Sequence, residues 1–171
     1  MKRFIILLLI LPVLVLNCAN KPEFGYSSQS LYPLEFKSIS VQIFENKTMN
    51  RHIEMLLADA LVKEIQYRTP YRIMNDSAAD TLLKGSITDI TLDAINQSNN
   101  TGLDNEVLIK VTVDFEWLNL ANNQHIVGKK NFMSDAIFIP SRPSSEPIEM
   151  GQFAVVQQLA RDIVDQMQAS W

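Results

Sequence analysis

Between residues 107 and 118 the chain alternates without a break. Val107, Ile109, Val111, Val113, Phe115 and Trp117 share one parity, and Leu108, Lys110, Thr112, Asp114, Glu116 and Leu118 the other. Successive side chains of a strand point to opposite faces, so this stretch is a long β-strand with one apolar and one mostly polar face. Such a strand has to bury its apolar row against a second layer, which calls for a sheet covered on one side.

The cover is legible as well. Ile53, Leu56, Leu57, Ala60, Leu61 and Ile65 recur at helical spacing, Arg51, Glu54, Asp59, Lys63 and Glu64 lie off that stripe, and Thr69-Pro70 stops it. Thr48 or Asn50 is the expected cap, because a side-chain oxygen there can accept an N–H that the first turn leaves free. His52 is expected in the first helical turn, as a solvated residue. A second helix is expected over residues 149–169, with Phe153, Val156, Leu159, Ala160, Ile163 and Met167 on one face. Glu146 and Glu149 near its start suit the positive end of the helix dipole.

The remaining strands are shorter or less regular. Residues 37–44 alternate, with Ile39, Val41 and Ile43 on one side, before a turn at 45–48. Residues 71–74 form a short strand and 75–80 a turn. Residues 81–95 read as a long strand whose phase shifts: Leu83, Gly85 and Ile87 share one parity, Ile90 and Leu92 the other. One extra residue near Thr88-Asp89 restores the facing, which is the trace of a β-bulge. An Asn-rich loop, 96–105, should join this strand to the next as an antiparallel pair. Residues 121–124 turn, 125–134 form a weaker strand, and Pro140, Pro143 and Pro147 mark a connection. The expected fold is therefore α+β, with two helices packed on one face of a mostly antiparallel four-stranded sheet, in the order β-α-β-β-β-β-α.

Ahead of this domain, residues 1–18 read MKRFIILLLILPVLVLNC. Lys2 and Arg3 precede an apolar run from Phe4 to Leu16. As a helix that run reaches roughly 20 Å, short of the roughly 30 Å hydrocarbon core of a bilayer. A secretory leader fits better than a spanning helix. No small-residue cleavage site follows; Val15-Leu16-Asn17-Cys18 does, and it resembles a bacterial lipobox. Residues 1–17 are thus expected to be a lipoprotein signal peptide, and Cys18 the lipidated residue, carrying a diacylglycerol and an N-acyl chain. Several chains are needed because a single acyl chain binds a membrane only marginally. Ala19 follows, where an Asp would favour the inner membrane. Residues 18–36, with Pro22, Pro33 and Gly25 and no periodicity, are expected to be the tether, and 37–171 the folded domain.

Charge and motif content narrow the function. Of 15 Lys and Arg, Lys2 and Arg3 lie in the leader, which leaves 13 against 19 Asp and Glu. So acidic a domain is poorly suited to phosphate-backbone binding, and nucleic acid is not an expected partner. The single cysteine excludes an internal disulfide. None of the common nucleophile, dinucleotide, P-loop or zinc motifs occurs. His52 and His125 read as surface residues, and the carboxylate pairs Asp104/Glu106 and Asp114/Glu116 as solvated charge on an outward face. No metal or other cofactor is expected, and no enzymatic activity. Lys129 and Lys130, with Lys110 and Lys84 on neighbouring strands, are candidate contacts for phosphate groups.

Taken in order, the phrases of the mature chain resemble the LPS-assembly lipoprotein family LptE. They are Cys18, Gly25-Tyr26, Ser30-Leu31-Tyr32, the run from Ile39 to Thr48, Ile53-Glu54, the run from Leu57 to Ile65, Thr69-Pro70-Tyr71, the run from Ala79 to Ile87, Val111-Thr112-Val113 and the closing helix. Six residues separate Cys18 from Gly25, a longer spacing than is usual in the family. The resemblance implies two helices on a four-stranded sheet and a place at the periplasmic face of the outer membrane. It also implies a role as plug of a large β-barrel translocon, LptD, helping that barrel assemble and insert lipopolysaccharide, with lipopolysaccharide itself a possible ligand. The competing reading is a generic envelope binding lipoprotein, such as an auxiliary module of a transporter.

Overall fold

The computed structural model describes residues 30–97, 104–140 and 146–168. Cys18, the leader and residues 18–29 of the tether lie outside the described residues, as do 98–103 of the Asn-rich loop, Pro143 and Ala169. The elements are β1 (Ser38–Val41), β2 (Glu45–Asn46), α1 (Ile53–Arg68), β3 (Arg72–Ile73), β4 (Thr81–Gln97), β5 (Asp104–Asn119), β6 (Gln124–Phe138) and α2 (Ile148–Gln166).

Two helices and one sheet are present, as expected, but the sheet is mixed and has six strands rather than four. Its order is β3-β1-β4-β5-β6, with β2 also paired to β4. β1 runs parallel to β3 and β4, and β2 parallel to β4, whereas β4-β5 and β5-β6 are antiparallel. The stretch read as a turn at 45–48 contains β2, and β6 runs four residues past the expected end at 134. β2 has two residues and no period that could announce it, whereas β3 falls within the short strand expected at 71–74.

The bulge falls where the phase shift put it. Register between β4 and β5 slips between Ile87 and Asp89, so that Ile87 meets Val113 while Ile90 meets Val111 and Leu92 meets Ile109. All six then share one face. That face carries the core: Ile39, Leu83, Ile87, Ile109, Val111, Val113 and Trp117 are fully buried against Leu57, Leu61 and Ile65 of α1 and Val155, Leu159 and Ile163 of α2. Both helices thus lie on one side, α1 over β1 to β3 and α2 over β5 and β6. Two glycines permit close approach. A Cβ on Gly85 would lie 2.6 Å from the Phe44 ring, and one on Gly151 would lie 2.6 Å from the Phe138 ring.

Helix ends differ from expectation. The N-cap of α1 is His52, in the left-handed region at φ 72° and without a side-chain cap. Thr48 and Asn50 act one turn earlier: the Asn50 N–H donates to the Thr48 hydroxyl, and Asn46 donates to the Asn50 carbonyl and to Glu54. Asn46 therefore ties β2 to the start of α1. In α2, Val156, Leu159, Ala160, Ile163 and Met167 are buried, but Phe153 is 56% exposed. Phe153 lies on the helical stripe, two turns before Ala160, near the start of α2. Of the stretch read as a tether, Tyr32 packs edge-on against Tyr71 and Phe36 against Trp117. Burial pushes the Tyr71 phenol up, and its hydroxyl donates to the Pro33 carbonyl at 2.9 Å.

The loop before β4 clamps β1. Asp80 accepts from the Lys37 N–H at 2.9 Å, the Ser38 N–H at 3.0 Å and the Ser38 hydroxyl at 2.9 Å. Asp76 accepts from Ser40 and Gln42. Bonds from the Lys37 backbone first, then from Ser38, hold Asp80 below the usual carboxylate range. A depressed folded pKa contributes stability above the unfolded value of about 3.9, and that contribution is lost as pH falls through the folded value. Asp80→Ala should therefore lower Tm at neutral pH and flatten the fall of Tm between about pH 5 and pH 2. Thermal melts across that range check it, and an unchanged acid slope contradicts it.

Candidate functional site

The residues singled out for ligand contact gather around one strand. β6 is an outer strand of the sheet, and its middle is distorted: Phe132 pairs with Val113 but Lys129 with Phe115, so Lys130 and Asn131 both stand opposite Asp114. Asn131 adopts φ 51°, and its N–H donates to the Asp114 carboxylate at 2.7 Å. Asp114 thereby pins a β-bulge. The bulge turns Lys129 and Lys130, adjacent in sequence, toward the rim of one cleft.

That cleft has a volume of about 660 Å³ and lies on the helix-free face, between Gln42, Lys84, Asp114, Glu116, Lys129 and Lys130. Its floor is an ordered ion-pair row. Lys84 reaches Glu116 at 2.9 Å, and the other Glu116 oxygen lies 3.1 Å from His125 Nδ1. Lys47 donates to the Ser86 hydroxyl at 3.1 Å. Lys129 and Lys130 form no ion pair among the described residues, so both ammonium groups can meet an external anion. A second cleft of about 690 Å³ lies on the other side of β6, between Trp117, Val127, Lys129, Asp165 and Gln168. The two clefts meet at Gly128 and Lys129, and a Cβ on Gly128 would meet nothing within 4 Å.

Lys110 is elsewhere. It pairs with Asp93 at 3.8 Å and lies farther along β5, in register with Thr91 and Asp135. The structure thus joins Lys129, Lys130 and Lys84 and leaves Lys110 out. Asp114 and Glu116 do lie on the outward face, yet each has a structural partner. His125, read as a plain surface residue, completes the Glu116 row. Only strand register brings Gln42 and Glu45 to the same cleft; no local pattern marks them.

Chemically the cleft is an open, charged surface groove. Its groups are charge-paired or free lysines, and no acid sits buried beside a base in a way that would tune it for proton transfer. No group of three His, Cys, Asp or Glu side chains able to hold a metal occurs among the described residues. The helix-free face also exposes Met133 and Ile137 of β6, at 59% and 56%.

The model of the lipopolysaccharide-assembly family LptE matches residues 36–170. No curated protein matches the chain in sequence. In fold the chain is similar to protein XCC0632 from Xanthomonas campestris, at 10% identity and a TM-score of 0.57, over 78% of this chain and 84% of that one. It is also similar to the PelC dodecamer from Paraburkholderia phytofirmans, at 14% identity and a TM-score of 0.51, over 82% and 94%. A third likeness is to protein CT253 from Chlamydia trachomatis, at 9% identity and a TM-score of 0.52, over 76% and 94%. At such identities these likenesses concern the fold.

Proposed function

The chain belongs to the lipopolysaccharide-assembly family LptE, and from that premise we propose that it is an outer-membrane lipoprotein that plugs and stabilises an LptD-like β-barrel translocon. In this reading Cys18 carries the diacylglycerol and N-acyl lipid that hold the chain at the periplasmic face. The domain works by fitting against the barrel, without catalysing a reaction. The observation that carries the proposal is the extent of the family match, which takes in every described element. Two further features support it. Cys18 follows directly on the leader's apolar run, and the surface offers exposed apolar side chains beside lysines that form no ion pair among the described residues. Lys129 and Lys130 are the proposed contacts for lipopolysaccharide phosphate groups, since neither forms an ion pair among the described residues and an ammonium serves as a point charge for phosphate.

Co-isolation from detergent-extracted envelopes tests the proposal. The tagged chain should bring down a single large β-barrel protein. Cys18→Ala should leave the chain unlipidated and largely released from membranes. Lys129→Ala with Lys130→Ala should keep the barrel but lower the co-isolated lipopolysaccharide. A wild-type chain that captures no barrel, even after crosslinking, sinks the plug reading, and an unmodified sulfur on the processed protein sinks the anchor.

A further inference from the structure

β4 is paired along its whole length on one side, by β5. On its other edge β1 covers Thr81 to Leu83 and β2 covers Ser86 and Ile87. The Lys47 N–H donating to the Ile87 carbonyl closes that row. From Thr88 to Gln97 the second edge of β4 has no neighbouring strand among the described residues.

The helices leave the same stretch uncovered. α1 starts at the level of Ile87, because Asn46, paired with Ile87, bonds to Glu54 in its first turn. α2 starts farther out: Gly151 sits against Phe138, and register carries Phe138 through Val107 to Ala94. Between those levels, among the described residues, the covered face of β4 has α2 on one flank and no helix on the other. Leu92 is 49% exposed there, although its cross-strand partner Ile109 is fully buried. Phe153 and Met150 of α2 are exposed at the same end.

We propose that this edge is a docking groove for an extended strand of another protein, in which apolar and basic side chains alternate. The apolar half follows from Ile90, Leu92 and Ala94, which share the covered face by register. The basic half follows from the acids on the opposite face, Asp89 and Asp93, near Asp135; Lys110, the one cation in register with them, lies 3.8 Å from Asp93 and leaves Asp89 without an ion pair among the described residues. A second copy is a poor occupant. Antiparallel pairing of two such edges sets Asp93 against Asp93 or Asp89, and like charges directly opposite are unfavourable. Both outer stretches carry bulges, β4 slipping register at Ile87/Asp89, Ala94/Asn96 and Asn96/Gln97. They differ in edge charge: β6 carries Lys129 and Lys130, which discourage strand addition, and the free part of β4 carries neither lysine nor proline. The inference deepens the partner reading given above and rests on it for the expectation that the occupant is a protein.

A synthetic decapeptide alternating lysine and valine is the probe, used with the full lipidated chain in detergent micelles. Amide hydrogen exchange should slow at residues 89–95 when the peptide binds. Leu92→Lys and Asp89→Lys, both at exposed positions, should each weaken peptide binding about fivefold, the upper range for one cross-strand pair. No protection, protection confined to β6, or protection from residues 19–29 of the same chain without peptide overturns the inference. Barrel co-isolation by the same variants separates the two claims. Equal recovery of barrel by wild type and both variants overturns the groove and leaves the plug standing. Loss of the barrel from wild type, with peptide protection intact, overturns the plug and supports the groove.

Discussion

Trp117→Ala should destabilise the domain by about 3–5 kcal/mol, the range for truncating a large buried aromatic side chain. Trp117 is fully buried and packs at 5.8 Å, between ring centroids, against both Phe36 and Tyr71. Its ring joins three parts of the chain: the segment ahead of β1, the segment before β3, and the centre of the sheet. Small domains are stable by only about 5–15 kcal/mol, so the loss should shift the urea midpoint severely or leave the protein unfolded. Trp117→Phe provides the control. The indole Nε1 is buried with no hydrogen-bond partner among the described residues. An orphaned buried donor costs about 1–3 kcal/mol, so removing it offsets much of the packing lost on going to Phe. Equal damage from the Phe and Ala variants contradicts this account of the indole, and a wild-type midpoint for the Ala variant contradicts its place at the centre of the core.

Gly85→Ala should cost about 1–3 kcal/mol, an overpacking penalty out of proportion to one methyl group. The added Cβ would lie 2.4 Å from the Asp114 carbonyl oxygen and 2.6 Å from the Phe44 ring. The ring is a side chain and can move, but the carbonyl belongs to β5, which is held by β4 on one side and β6 on the other. Phe44→Leu added to Gly85→Ala should therefore recover only part of the loss. Full recovery in the double variant would mean that the ring alone sets the limit. Because Asp114 also pins the β6 bulge, Gly85→Ala should weaken exchange protection at Asn131, which amide exchange can read directly.

Most of the core was legible because its pattern is local. Alternation from Val107 to Trp117 marks the buried row of β5, and a change of parity after Ile87 marks the bulge, since each depends on a fixed two-residue period. The stripe from Ile53 to Ile65 marks the buried face of α1 apart from Leu56, which stands 38% exposed. The candidate site was legible only in part. Lys129 and Lys130 stand out as adjacent charges, but their common cleft depends on the bulge opposite Asp114. Lys110 looks equivalent in sequence and is placed elsewhere by register. Asp76 and Asp80 read as turn residues, because nothing nearby announces that their partners are Ser38 and Ser40 on β1 and Lys37 and Gln42 at its two ends.

By itself the sequence determined which side chains share a face and where the long strands and helices run; both are properties of neighbours along the chain. Tertiary structure decided the parallel pairing of β1, β2 and β3, the exposure of Phe153, and the uncovered edge of β4. These depend on how far one element extends past another in space. A helical stripe tells which way a residue faces but not whether a partner reaches it. Phe153 and Ala160 lie on the same side of α2, and only the second is buried.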